Sequence, residues 1–147
     1  MPSLFHRLLI LIAMLTAVSA CSRPSSTPAQ PQIPQAMKSV LGAKGEVNAG
    51  GETPLWSAQV RPGRLNIALE AGSDVSAPIS AFAADATSAH WSGKTATGQV
   101  IALTVVHKAC SDGATVMTYP LTAKAEIGAQ VITGCAAAPG QGLGPRT

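Results

Sequence analysis

Apolar and polar residues alternate along most of the second half of the chain. From about residue 54 onward the apolar positions recur at every second residue, and Gly, Pro, Asp and Ser interrupt them at short intervals. Successive side chains of a β-strand point to opposite faces, so this period is typical of strands that bury one face. The pattern predicts an all-β domain, a small antiparallel barrel or sandwich of about six or seven short strands.

The first two predicted strands form a hairpin. They flank the sequence Arg-Pro-Gly-Arg at 61–64, whose Pro-Gly centre is typical of a tight turn. Alternate residues on the two sides form a shared apolar face, which consists of Trp56, Ala58, Val60, Leu65, Ile67 and Leu69.

Three later segments predict further strands. Residues 99–107 are the most apolar run and predict a central strand, residues 116–127 alternate, and residues 129–135 predict the last strand. Weaker patterns at 79–84 and 88–92 predict two short strands between the hairpin and the central strand.

Two segments leave their secondary structure open. The alanine-rich residues 81–89 are compatible with a helical turn instead of strands. Residues 37–51 begin with Met-Lys-Ser-Val-Leu, which fits either a short helix or a strand, and then become rich in glycine.

The first twenty residues have the composition of an export signal. Residues 1–7 contain one arginine and no acid, and residues 8–18 form an apolar run interrupted only by a threonine. Such a run is too short for a helix that crosses a bilayer, which needs about 20 apolar residues. The run ends in Val-Ser-Ala-Cys at 18–21, which resembles the lipobox of bacterial lipoprotein precursors.

The resemblance implies that residues 1–20 are removed and that Cys21 becomes a lipidated N-terminal residue. Two or more acyl chains hold a protein stably on a membrane, so the membrane is the first expected partner. Ser22 follows the cysteine, and by the same resemblance the periplasmic face of the outer membrane is favoured over the inner membrane. The alternative is an ordinary secretory signal whose cleavage site happens to precede a cysteine.

Composition divides the remaining chain into a tether, one domain and a tail. Proline, serine, glutamine and glycine predict a tether over residues 21–50, the strands define an all-β domain over residues 51–138, and residues 139–147 are expected to be disordered. Only 12% of the residues are charged and they are scattered, so the net charge of +3 forms no basic patch. Nucleic acid is therefore not an expected partner.

Three stretches resemble an uncharacterised family of bacterial envelope lipoproteins. They are Gly-Glu-Thr-Pro-Leu-Trp at 51–56, Cys-Ser-Asp-Gly at 110–113 running to Tyr-Pro at 119–120, and Gly-Cys-Ala at 134–136. The sequence departs from the family at Leu55, where an aromatic residue is usual, and at 114–115, where Met-Ser is frequent. Family members sometimes occur beside META-type envelope domains, and the resemblance implies no activity.

The cysteine count predicts one disulfide bond. With Cys21 assigned to lipid, Cys110 and Cys135 are the remaining pair, and an even number is expected in an oxidising compartment. The alternative is two buried free thiols.

No residue pattern indicates catalysis, a metal or another cofactor. His90, His107, Cys110 and Asp112 are close in sequence, but their spacing matches no zinc pattern, and no Gly-x-Ser-x-Gly motif is present. Trp56 and Tyr119 are candidate rim or binding aromatics, although their position on apolar strand faces favours a place in the core.

The sequence therefore predicts a non-catalytic envelope lipoprotein that acts as an interaction or structural module and binds an envelope protein or wall component. The alternative is a carrier that holds a small molecule or lipid in a barrel pocket. A filled interior would favour the interaction module, and an empty apolar cavity would favour the carrier.

Overall fold

The structure is a computed structural model that describes residues 32–41, 44–70, 72–113 and 117–141. Within these residues the chain forms one helix and ten strands. They are α1 (Gln35–Leu41), β1 (Val47–Glu52), β2 (Leu55–Arg61), β3 (Arg64–Leu69), β4 (Val75–Ala84), β5 (Ser88–Lys94), β6 (Val100–Val106), β7 (Cys110–Ser111), β8 (Thr118–Tyr119), β9 (Leu121–Ile127) and β10 (Gln130–Ala137).

Several predictions concern residues outside this range. The export signal at 1–20, the lipidated Cys21, the first part of the tether and the end of the tail at 142–147 all lie outside the described residues.

Eight of the described strands close into an antiparallel barrel, which confirms the predicted all-β class. Its strands follow one another in chain order from β1 to β6, continue with β9 and β10, and β10 returns to pair with β1. Strands β7 and β8 form a separate two-stranded ribbon inserted between β6 and β9. The expected number of strands was too low, because β1 and the short ribbon strands have no clear alternating pattern.

The predicted hairpin is confirmed as β2 and β3. The two strands pair from Trp56 with Leu69 to Arg61 with Arg64. Gly63 has a φ of 74°, a backbone conformation that suits the second central residue of a Pro-Gly turn.

The alanine-rich stretch forms strands, so the helical alternative for residues 81–89 is wrong. Residues 82–84 of β4 pair with residues 89–91 of β5, and a register irregularity between Ile79 and Ala81 bends β4. Pairing with β5 outweighs the helix propensity of alanine here.

The domain begins before the predicted boundary at residue 51. Strand β1 belongs to the barrel, and α1 buries Met37, Val40 and Leu41 in the same apolar cluster as the barrel interior. Their spacing of three and four residues is that of one face of a helix, so α1 and β1 are part of the fold and not of the tether.

The interior of the barrel is filled with apolar side chains, which together with the buried face of α1 form the barrel core. The largest of the fully buried barrel residues are Trp56, Leu65, Ile67, Ile101, Leu103 and Leu121. The predicted inward face of the hairpin is therefore confirmed, and Trp56 is 2% exposed.

A second, smaller apolar cluster lies on the outside of the barrel. It consists of Tyr119, Cys135 and Ala137 with Cys110 packed against them, and we call it the ribbon cluster. Residues 116–127 are not the single strand that their alternation predicts, because Pro120 separates β8 from β9. Leu121 faces the interior, whereas Tyr119 packs on the outer face.

No helix in the described part of the chain has the length and apolar character needed to span a membrane.

Candidate functional site

A groove of about 650 Å³ lies on the outer face of the barrel, beside the ribbon. We call it the ribbon groove. Thr104, Thr122, Lys124 and Thr133 line it from β6, β9 and β10. Further lining comes from Ser111 and Asp112 of the ribbon region, from Glu52 at the end of β1 and from Thr53 after it.

Strand register brings three of the groove residues into one row. Lys124 pairs with Thr104 on one side and with Thr133 on the other. Their side chains point outward because the neighbouring residues Leu103, Ala123 and Ile132 are buried in the barrel core. The groove thus presents an ammonium group with one hydroxyl group on each side of it.

Polar partners orient the side chains along this row. His90 Nδ1 lies 2.9 Å from Thr104 Oγ1, and Lys124 Nζ lies 3.2 Å from Glu126 Oε1. The ion pair is solvent-exposed, so it contributes little to the free energy of folding. It leaves Lys124 accessible for a ligand at the groove.

The ribbon is fastened to the barrel wall by the predicted disulfide. Cys110 on β7 and Cys135 on β10 are bonded, with a Cα–Cα distance of 5.5 Å. The bond confirms the pairing predicted from the cysteine count. The ribbon consequently stands at the edge of the groove.

Tyr119 holds the other ribbon strand. Its ring is 4% exposed within the ribbon cluster, and its hydroxyl donates a hydrogen bond to Asp112 Oδ2 over 3.3 Å. The side chain is therefore a structural support of the groove wall, and its ring is not available for stacking on a ligand.

Trp56 supports the groove from inside the barrel. Its Nε1–H donates a hydrogen bond to the carbonyl oxygen of Thr133 over 3.0 Å, and the ring lies against Gly51. A Cβ on Gly51 would come within 2.7 Å of that carbonyl oxygen, so only glycine fits between the indole and β10.

The three stretches that carry the family resemblance meet at this groove. Its lining includes Gly51 and Glu52 of the first stretch, Cys110 of the second, and Gly134 and Cys135 of the third. Residues that are far apart in the sequence thus lie around one surface feature.

The two candidate histidines lie outside the strands that carry Cys110 and Cys135. His90 is on β5 beside Thr104, and exposed His107 follows β6, where its backbone N–H bonds the carbonyl oxygen of Thr87. Within the described ranges, no group of three or more His, Cys, Asp and Glu side chains could hold a metal ion.

Sequence reasoning missed Asp85, which organises the turn between β4 and β5. Its carboxylate accepts hydrogen bonds from the backbone N–H groups of Thr87 and Ser88 at 2.7 Å and from both hydroxyls. The backbone N–H of Thr87 and the hydroxyl of Ser88 are the main groups that lower the pKa of this exposed carboxyl from 3.8 to about 2. The sequence signal is an aspartate followed at short range by two hydroxyl residues.

A second concavity of about 340 Å³ lies near the turn between β2 and β3. Ile33, Phe82 and Trp91 are among its apolar lining residues. Arg61 also lines it, but its guanidinium bonds the carbonyl oxygen of Val60 and Oδ1 of Asn48. Aromatic and aliphatic side chains thus make up much of its lining.

Comparison of the chain with protein-family models, with curated proteins and with solved structures finds no match. Any functional interpretation therefore rests on the residues and on the geometry of the two concavities.

Proposed function

We propose that the chain is a lipoprotein of the bacterial cell envelope, anchored by lipid on Cys21, whose barrel is a non-catalytic interaction module. The ribbon groove is the surface that binds the partner, an envelope protein or a component of the wall. The observation that carries this proposal is the placement of polar, accessible groups on the outer wall of a barrel whose interior is filled by its own side chains.

The packing of the interior favours an interaction module over a carrier. Bulky residues such as Trp56, Leu103 and Leu121 occupy the centre of the barrel with at most 2% exposure. A carrier of this size would need that volume for its cargo, because ligand pockets commonly measure about 300–1,000 Å³.

The groove has the chemistry of a recognition surface. Hydroxyls of Thr104 and Thr133 both donate and accept hydrogen bonds, and Lys124 adds a cationic donor. The disulfide and the Tyr119–Asp112 hydrogen bond hold the ribbon wall in place before a partner arrives. A preorganised wall lowers the entropy that binding would otherwise cost.

The second concavity favours a carrier as the alternative function. Its lining of Phe82, Trp91 and Ile33 suits the apolar part of a small molecule or lipid. Native mass spectrometry of the chain released from membranes tests this alternative, and a co-purifying lipid lost in Phe82→Asp would favour the carrier.

Site-specific photo-crosslinking in intact cells tests the interaction module. A crosslinking amino acid at Thr104 or Lys124 is expected to yield one discrete adduct with an envelope protein or with wall fragments. The matched control carries the same group at Ala68 on β3, which lies on the opposite side of the barrel. Equal amounts of adduct from the groove positions and from Ala68, or no adduct from the groove positions, would contradict the proposal.

Fractionation tests the anchor separately. Cys21→Ser is expected to move the chain from the membrane fraction to the soluble envelope fraction, because no acyl chain can then be attached. Retention of the variant in the membrane fraction at the level of the parent chain would contradict lipid anchoring.

A further inference from the structure

The ladder that closes the barrel stops before either of its strands ends. Strands β1 and β10 pair over three positions, from Asn48 with Ala137 to Gly50 with Cys135. Strand β10 nevertheless extends back to Gln130, and β1 extends forward to Glu52. Residues 130–134 of β10 therefore pair with β9 on one side and have no strand partner on the other side among the described residues.

Glycines explain why the closing ladder stops at this position. A Cβ on Gly134 would collide with the backbone of Gly50 and Gly51, so β1 passes across the inner side of Gly134 instead of continuing beside β10. The next carbonyl oxygen of β10, on Thr133, is bonded by the indole of Trp56. This contact shows that the Thr133 carbonyl points away from β9.

The direction of the other backbone groups follows from strand geometry. In an antiparallel ladder the N–H and C=O of one residue point to the same side, and successive residues alternate. The backbone N–H and C=O groups of Thr133 and Val131 therefore point to the open side. Those of Ile132 point to β9, where Ile132 pairs with Ala125. The N–H and C=O of Val131 and the N–H of Thr133 thus form a short edge of three hydrogen-bonding groups.

We propose that this edge, β10 from Gln130 to Thr133, accepts an extended peptide segment of a partner protein as an additional strand. The inference rests on the proposed interaction module and names the class of its partner. Exposed sheet edges bind extended peptides through main-chain hydrogen bonds, and side-chain pockets supply the specificity. Thr133 also lines the ribbon groove, so the bound segment continues from the edge into the groove.

The surroundings of the edge define the peptide. Val131 is 56% exposed on the outer face, and an apolar side chain of the peptide packs beside it. Gln130 and Thr133 at the two ends of the edge are exposed as well, so the peptide meets polar side chains on either side of Val131. A second copy of this chain is a poorer occupant, because a four-residue edge falls short of the roughly 1,200–2,000 Å² of a stable interface.

Val131→Pro removes an edge donor without touching the ladder to β9. Proline lacks the N–H, and it is tolerated on edge strands where that N–H faces solvent. Val131→Thr is the matched control, since it keeps the N–H and a β-branched side chain. The probe is a ten-residue peptide selected from a random displayed library on the purified full-length chain and then synthesised with a fluorescent label.

The expected result is that Val131→Pro weakens peptide binding at least about tenfold, whereas Val131→Thr stays within about twofold of the parent chain. Amide hydrogen exchange is expected to slow at Val131 and Thr133 when the peptide binds, with Ile132 unchanged. Unchanged affinity in Val131→Pro, or failure of the library to yield any binder, overturns the proposal.

A series of N-methylated peptides keeps the test decisive if Val131→Pro does not fold. Methylation of the one peptide amide that donates to the Val131 carbonyl oxygen is expected to abolish binding, while methylation of its two neighbouring amides is tolerated, and a uniform response overturns strand addition. If the peptide fails to bind Thr104→Arg but binds Val131→Pro normally, binding at the edge is overturned and the proposed function of the groove stands. A dimer in sedimentation that Val131→Pro dissociates would instead assign the edge to a second copy.

Discussion

The barrel core and the ribbon cluster are two apolar clusters on opposite faces of the same wall, and they are held together in different ways. Among the residues that the structure describes, the barrel core contains 22 buried ones, which come from α1 and from all eight barrel strands. The ribbon cluster contains three, and a disulfide supplements them. A large cluster is stabilised by burial alone, whereas a ribbon of two-residue strands needs a covalent bond to stay in place.

The sharpest test of this comparison is Trp56→Ala. Removing a fully buried indole typically costs ~3–5 kcal/mol, and here it also leaves the Thr133 carbonyl without its donor. We expect the largest loss in the free energy of unfolding, measured by denaturant titration. A loss below about 1 kcal/mol would show that the ring is not part of the barrel core.

Removing the disulfide tests the other half of the comparison. Cys110→Ala combined with Cys135→Ala opens a closed loop of 26 residues (110 to 135 inclusive), which increases the entropy of the unfolded chain. The expected loss is about 3.5 kcal/mol or less. Hydrogen exchange should accelerate in β7 and β8 more than in β9. Equal acceleration in all three strands would contradict the conclusion that the disulfide holds the ribbon and burial holds the barrel.

Tyr119→Phe keeps the ring and removes the hydroxyl group that bonds Asp112. The hydroxyl donates to Asp112 over 3.3 Å, so we expect a loss of about 1 kcal/mol with the disulfide intact. Thr118→Ala serves as a control on the same ribbon, since Thr118 is exposed on β8. The loss should grow when the disulfide is also removed, because the two contacts hold the same segment.

Asp85→Asn lies outside both clusters and has the smallest expected effect. The native carboxyl has its pKa lowered to about 2, so its charged form stabilises the turn above pH 3.8. That contribution is lost as the pH falls from 3.8 to about 2. Thermal unfolding followed over this range should therefore depend less on pH in Asp85→Asn than in the parent chain, and identical pH profiles would contradict this role.

The sequence pattern predicted the barrel strands where alternation is regular and failed where another force decides. Strand β1 was missed because its Val-Asn-Ala-Gly-Gly-Glu sequence contains glycines that close packing requires. Tyr119 keeps the alternation of β9, yet Pro120 redirects the chain so that the ring packs outside the barrel. Two cysteines left only one pairing, so the disulfide was predictable from a count.

The candidate groove was less accessible to sequence reasoning. Thr104, Lys124 and Thr133 belong to three strands, and only the register of those strands aligns them. The motif residues gave no sign in the sequence that they meet, because their meeting point depends on closure of the barrel and on the ribbon insertion.

The order of the barrel strands also determines how the chain reaches this structure. Every barrel ladder except the one between β1 and β10 joins strands that are neighbours in the chain. Only β6 and β9 are separated, by the inserted ribbon. Contacts that are local in sequence form quickly, because little loop entropy is lost. The three pairs between β1 and β10 join opposite ends of the domain, so closure is expected to be the slow, late step of folding.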